Sequence, residues 1–154
     1  MKVFEIMTID VASCGLDDDL SRAASLMWEK DCGVIPVVDS ERRVVGVVTD
    51  RDIAIATASQ NRRPSEIKAR DMLFQPIECC DMEDTIETVL DRMAKIRIRR
   101  LPVVGERCEL LGMISIADVL KNGRKREAKQ AVKTLMRIVG RPKARAADSV
   151  LVEP

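Results

Sequence analysis

Residues 34–52 read Val34-Ile-Pro-Val-Val-Asp-Ser-Glu-Arg-Arg-Val-Val-Gly-Val-Val-Thr-Asp-Arg-Asp52, and this stretch decides the fold. A β-branched run, Val34 to Val38, is followed by a polar turn, Asp39 to Arg43. A second such run, Val44 to Thr49, comes next. The short loop makes the two an antiparallel hairpin. Pro36 has no donor N–H, so it is expected at a strand start or edge. At Thr49 the pattern changes. A Ser/Thr with an acid three residues on is a capping box, here with Asp in place of the usual Glu or Gln. A helix is therefore expected from Asp50 to Ala58.

The same passage recurs 66 positions on, as Arg100-Leu-Pro-Val-Val104 and Gly112-Met-Ile-Ser115-Ile-Ala-Asp118. Leu16–Ala54 lies over Met82–Leu120 without a gap. Asp18 meets Asp84, Met27 meets Met93, Pro36 meets Pro102, Gly46 meets Gly112 and Asp52 meets Asp118. One supersecondary unit is used twice. Each unit opens with a short strand, Val11 to Cys14 or Ile77 to Cys80. An amphipathic helix follows, with Leu20, Ala23, Ala24 and Met27, or Ile86, Val89, Leu90 and Met93, at helical spacing. The hairpin and a second helix (Ile116 to Lys121 in the second unit) complete it. The order is β-α-β-β-α, twice, in an α/β (α+β) fold. The expected division is 1–58 for the first repeat, 59–70 for a linker with the turn signal Asn61-Arg-Arg-Pro64, 71–122 for the second repeat, and 123–154 for a basic amphipathic helix and a loose tail.

Composition narrows the chemistry. The chain has 154 residues with 26 basic and 25 acidic side chains, a net charge of +1. That argues against a wholesale nucleic-acid binder. It has no His, which removes Ser-His-Asp and Cys-His catalysis and every metal site that needs imidazole. Phe4, Trp28 and Phe74 are the only aromatics, too few for a base-stacking platform. The five cysteines have no framework spacing, so they read as reduced, buried thiols of a cytoplasmic protein. Met1 to Asp10 carries acids and no apolar stretch, so no signal peptide is expected. Neither a Gly-rich phosphate loop nor a paired acid/base constellation is present, so an enzyme is not expected. From Lys121 onward ten basic residues face three acidic ones, leaving the first 120 residues net acidic. Ala128, Ala131, Val132, Leu135 and Val139 recur there at helical spacing, with a basic outer face. A chain ending at Asn122 is expected to keep its fold.

The repeated signature, Gly-h-h-[Ser/Thr]-x-x-Asp (h, hydrophobic), has two readings. One is capping alone: Thr49 and Ser115 cap, and Asp52 and Asp118 complement the helix dipole. The other uses the same corner to bind. Free N–H groups at the helix N-terminus suit phosphate, a hydroxyl adds a donor, and a carboxylate can accept both hydroxyls of a ribose.

With the Pro-Val-Val strand and this corner in two copies, the repeated unit resembles the cystathionine-β-synthase (CBS) domain, and the chain resembles a stand-alone tandem pair over roughly residues 4–121. The resemblance implies two sheets packed about a pseudo-twofold axis with two clefts between the repeats. The first cleft would combine Thr49 and Asp52 with Cys79, Arg99 and Arg100, with Arg51 nearby. The second would combine Ser115 and Asp118 with Ser13, Val34 and Ile35, with Lys121 as a phosphate partner. Ser13 and Cys79 stand where the family often has Thr. The Asp would hold the ribose, the Ser/Thr would meet phosphate, and backbone beside the Pro-Val strand would read adenine. AMP, ADP, ATP and S-adenosylmethionine are the family's typical ligands, and homodimers are its usual assembly. The leading expectation is a regulatory module that senses an adenine nucleotide and acts on an effector protein in trans. The alternative is a dimeric adaptor with empty clefts, acting through its basic C-terminal tail on a protein, nucleic acid or membrane.

Overall fold

The computed structural model of the chain describes residues 1–73 and 76–140. In the first sheet β1 (Cys14–Gly15) runs parallel to β2 (Val34–Val38), which pairs antiparallel with β3 (Val44–Thr49). Helix α1 (Leu20–Glu29) joins β1 to β2, and α2 (Asp50–Gln60) follows β3. The second sheet repeats this with β4 (Cys80–Asp81), β5 (Arg100–Val104) and β6 (Leu110–Ser115), and with α3 (Ile86–Ile96) and α4 (Ile116–Asn122). A final helix, α5 (Lys125–Val139), ends the described chain. The β-α-β-β-α order read from the sequence is present twice in a mixed α/β fold. Registers agree too: Pro36 faces Val47, Pro102 faces Met113, and both hairpins shift register at the same place.

Two local expectations are corrected. The strands β1 and β4 are two residues long, and Val11–Ser13 and Ile77–Cys79 lie outside the ladder. A turn follows each strand: Gly15 N–H donates to Asp18 Oδ2 at 2.7 Å, and Asp81 N–H to Asp84 Oδ2 at 3.1 Å. The prolines are not at a strand start or sheet edge but in the middle of the central strands, β2 and β5. They are tolerated because β1 reaches only Val37 and Val38, and β4 only Val103 and Val104. No ladder partner on that side asks residue 36 or 102 for an N–H.

The two cores are completed by exchanged chain segments. Val3, in a 3-10 turn at the start of the chain, is 0% exposed and sits in the second repeat's core with Leu90, Leu101 and Ile114. Ile67 and Ala69, from the segment expected to be a linker, are 0% exposed in the first repeat's core with Leu20, Ile35 and Val48. The exchange is symmetric. Ile86 N–H donates to Met1 O at 3.1 Å, and Leu20 N–H to Ile67 O at 3.0 Å. Isolated bridges join Lys2 to Thr85 and Lys68 to Asp19. Full burial of a side chain the size of Val3 or Ile67 is worth about 1.5–3 kcal/mol, so each repeat draws part of its core from chain that precedes the other.

Helix α5 packs on α3 and α4 and belongs to the second core. Ala131 and Thr134 are its buried residues, and Leu135 and Ile138 pack beside them. This corrects the expected apolar stripe, because Val132 (46%) and Val139 (70%) are exposed. A helix lying in the trough between two others turns a wide face inward. Here that face is 131/134/135/138, which leaves 132/136/139 on its flank. Ala131 shares a buried cluster with Leu90, Met93 and Val119, so a chain ending at Asn122 would lose part of the second core. The loose tail expected at 141–154 lies outside the described residues.

Candidate functional site

Each repeat places one Ser/Thr and one Asp at the corner where its hairpin turns into a helix. Thr49 ends β3 and is the N-cap of α2, and Ser115 does the same for β6 and α4. Both capping boxes are closed. Thr49 N–H and Oγ1–H donate to Asp52 Oδ2 at 2.9 and 2.7 Å, and Asp52 N–H donates back to Thr49 Oγ1 at 3.1 Å. Ser115 N–H and Oγ–H donate to Asp118 Oδ2 at 2.8 and 2.6 Å, and Asp118 N–H donates to Ser115 Oγ at 3.2 Å. All four side chains are half-buried. The capping interactions engage a single oxygen of each carboxylate. A carboxylate has about four lone-pair sites, so each keeps acceptor capacity for a diol.

The expected free N–H groups are largely taken. At α2 the Asp50 N–H donates to Gly33 O at 3.3 Å, the Arg51 N–H to Asp50 Oδ1 at 2.7 Å, and the Asp52 N–H to Thr49. At α4 the Ile116 N–H donates to Arg99 O at 2.9 Å. The helix start alone is thus a weak anion site, and phosphate recognition falls to side chains. The glycine of each motif has a packing reason. A Cβ on Gly112 would meet the Thr8 backbone oxygen at 2.5 Å, and one on Gly46 would overlap the Leu73 side chain. The exchanged segments pass directly over these two positions.

Two of the remaining residues sit beside a corner within their own repeat. Val34 pairs with Thr49 across the first hairpin, and Arg100 with Ser115 across the second. Val34 and Ile35 are buried, Ser13 and Cys79 half-buried, Arg100 half-buried, and Arg51, Arg99 and Lys121 exposed. Among the described residues no hydrogen bond or ion pair joins Thr49 or Asp52 to Cys79, Arg99 or Arg100, or Ser115 or Asp118 to Ser13. The Cys79 carbonyl accepts from Arg92 Nη1 at 2.6 Å, which ties the segment before β4 to α3. Burial pushes the Cys79 thiol up to about 11, with Cys108 and Glu78 adding and Arg92 opposing. Burial likewise raises Cys80 to about 12 and Cys14 to about 11. All three stay protonated near neutral pH and are poor nucleophiles.

Gly33 and Arg99 supply the carbonyls that hold the first N–H of each helix, and the sequence reading missed both roles. It also missed the exchanged segments. Extending the 66-residue offset back to Met1 against Ile67 and Val3 against Ala69 would have exposed them, because apolar residues meet there outside the strong repeat.

Comparisons with known proteins agree with this architecture. The family model described as the CBS domain matches residues 3–59 and again 69–125. The chain is 32% identical to the CBS domain-containing protein YhcV of Bacillus subtilis, over 78% of this chain and 84% of that protein. It is 30% identical to hypoxic response protein 1 of Mycobacterium tuberculosis, over 77% of this chain and 82% of that protein. The crystal structure of Hypoxic Response Protein I matches with a TM-score of 0.73 at 30% identity, covering 79% of this chain and 98% of that one. That structure carries two coordinated zinc ions. Among the described residues of this chain, no three His, Cys, Asp or Glu side chains form a group that could hold a metal ion. The CBS domain pair of protein MJ0100, solved with 5′-methylthioadenosine and S-adenosyl-L-methionine, shares the fold with a TM-score of 0.67 at 22% identity, over 79% and 94% of the two chains. The matched region spans 62% of protein MK0525 of Methanopyrus kandleri and 23% of inosine-5′-monophosphate dehydrogenase of Methanocaldococcus jannaschii. Among the described residues no helix is long and apolar enough to cross a membrane.

Proposed function

The chain belongs to the CBS-domain family, and we propose that it is a non-catalytic, cytoplasmic regulatory module, a homodimer that binds an adenine nucleotide in clefts between its two repeats. The observation that carries this reading is the pair of matched corners, Thr49–Asp52 and Ser115–Asp118. Each sets a hydroxyl and a carboxylate with spare acceptor capacity at the end of a hairpin. Asp52 and Asp118 take the ribose hydroxyls. Thr49 and Ser115 lie beside the phosphate. With the α2 N–H groups already bonded, the guanidinium forks of Arg51, Arg99 and Arg100 supply the phosphate contacts in the first cleft, and Lys121 supplies them in the second. Cys79 is a weak hydrogen-bonder and lines the first cleft mainly as an apolar wall, while Ser13, Val34 and Ile35 line the second. A CBS pair of the same fold solved with two adenine-containing ligands supports the ligand class. Binding acts on an effector by differential affinity for two arrangements of the repeats.

The test is a thermal-shift and calorimetric screen of AMP, ADP, ATP, S-adenosylmethionine and guanine nucleotides, with and without Mg²⁺. A ligand at about 100 times its Kd stabilises by roughly 2.7 kcal/mol. One adenine ligand is expected to do so, and Asp52→Ala or Asp118→Ala is expected to abolish one site each. No stabilisation by any of these ligands would overturn the nucleotide reading in favour of an adaptor with empty clefts, working through the basic residues that follow Lys121.

A further inference from the structure

The two repeats differ in what covers their helices. In the second, α5 fills the trough between α3 and α4, and Leu90, Met93 and Val119 are each 0% exposed beneath it, with Ala94 at 9%. One repeat earlier these positions are Ala24, Met27, Ile53 and Trp28. Among the described residues no helix covers them. Trp28 is 89% exposed, Ala24 is exposed and Ile53 only half-buried, while Met27 at the groove's floor is 7% exposed. The trough between α1 and α2 is an open groove of about 590 Å³. Its lining includes the carboxylates Asp31 and Asp50 and no basic residue.

Helix α5 carries the complement. Val132, Met136 and Val139 follow each other at i, i+4 and i+7 on its flank and are 46%, 70% and 70% exposed. Lys125, Lys129 and Lys133 are exposed on the same helix, which has Glu127 as its one acid. An apolar strip edged with lysines matches an apolar trough edged with carboxylates in both shape class and charge. The chain's own α5 is committed to α3 and α4, so it cannot also fill this groove.

We propose that the α1–α2 groove is filled by the Val132–Met136–Val139 flank of α5 from a second copy of this chain. The two copies run head to tail, so that each first repeat lies on the other copy's α5. One twofold axis then generates two identical contacts and closes the assembly, leaving neither patch open. This rests on the homodimer reading above and names its surfaces. It is independent of which ligand the clefts hold.

The experiment is light scattering coupled to size exclusion on the full chain, with circular dichroism to confirm folding. Both test positions are exposed, so Trp28→Glu and Met136→Glu leave the cores intact. The unaltered chain is expected at about 34 kDa, twice the 17.2 kDa chain mass. Each variant alone is expected to run as a monomer. Mixed together, they are expected to recover a species of about 34 kDa, because a mixed pair restores one unaltered groove against one unaltered α5. A chain that is monomeric without substitution overturns both the homodimer and these surfaces. A dimer insensitive to both substitutions overturns the surfaces alone. Loss of the dimer in both variants with no recovery on mixing overturns the head-to-tail pairing, as would be seen if α1–α2 packed on its own copy.

Discussion

Arg43 and Glu109 occupy the same position in the two repeats, and they pair with each other in an isolated antiparallel bridge. A position that meets its own counterpart lies on the pseudo-twofold axis. The flanking bonds obey the same symmetry: Val44 N–H donates to Cys108 O at 2.9 Å, and Leu110 N–H to Arg42 O at 3.1 Å. Arg42 and Cys108, each one residue before the bridge, share the left-handed region at φ 61° and 63°. The backbone thus joins the hairpins to each other, while the exchanged segments lock each repeat to chain that precedes the other. Backbone bonds of this kind couple the folding of the two repeats.

Val3→Ala removes two buried methyl groups from the second core, although residue 3 precedes the first repeat. The expected cost is about 2 kcal/mol, combining transfer and cavity terms. The location of the effect is the sharper check. Native-state hydrogen exchange should accelerate first in α3 and β5, where Val3 packs. Acceleration confined to residues near the first repeat would contradict the exchange.

The two motif glycines should not respond alike to Ala. At Gly112 the new methyl meets the backbone oxygen of Thr8, which is held by reciprocal 2.9 Å bonds between Thr8 and Met113. At Gly46 it meets the end of the Leu73 side chain, which can rotate away. Gly112→Ala should cost at least about 2 kcal/mol and Gly46→Ala less, by urea unfolding. Equal losses would show that Leu73 is held as rigidly as backbone.

Ending the chain at Asn122 should lower the melting temperature by several degrees or more. It strips Ala131, Leu135 and Ile138 from the second core and opens Leu90, Met93 and Val119 to water. An unchanged melting temperature would mean that α5 contributes nothing to that core.

Much of this architecture was legible because the repeat is strong where hairpins and capping boxes constrain the sequence. Val34–Val38, Val44–Thr49 and their partners were readable to the residue, since β-branched runs end at polar turns. The capping boxes were readable from Thr49 and Asp52 alone. What was not legible depends on distant partners. Pro36 can sit in a central strand only because β1 reaches no further along β2 than Val37 and Val38, which is a property of the partner strand and not of the residues around Pro36. The flank of α5 that faces inward is set by the trough between α3 and α4, not by α5's own periodicity. Segments 1–8 and 67–73 carry apolar residues but are short and lack a strand or helix period, so nothing local says which core they enter.

Stability should fall as the solution becomes alkaline. The folded state raises Cys14 and Cys79 to about 11 and Cys80 to about 12, from an ordinary value of 9.0. A raised thiol pKa means the folded chain keeps protons that the unfolded chain releases. The contribution is therefore complete below pH 9 and is lost as pH rises from about 9 towards about 12. Under reducing conditions the urea midpoint should drop as the pH rises above about 9. The drop should shrink in Cys80→Ala, whatever that variant's overall stability. A pH slope that Cys80→Ala leaves unaltered would assign the alkaline loss to other groups.

The double duty of Asp52 and Asp118 can be separated by paired substitutions. Each carboxylate accepts two bonds from its cap residue and, on the proposed reading, holds a ribose. Asp→Asn keeps one carbonyl oxygen for the cap but loses the charged acceptor that a diol needs, whereas Asp→Ala loses both. Asp52→Asn should therefore cost under about 1 kcal/mol of stability, and Asp52→Ala about 1 kcal/mol or more. Both should weaken adenine-nucleotide binding by at least about tenfold, the worth of roughly 1.4 kcal/mol in lost charged hydrogen bonds. Thr49→Ala is the control when the ligand is adenosine, which has the ribose and no phosphate for Thr49 to meet: it opens the same cap, yet leaves the carboxylate free to bind the diol. If Thr49→Ala weakens binding as much as Asp52→Asn, the carboxylate serves the ligand only by holding the helix start, and the ribose contact must be sought on another side chain.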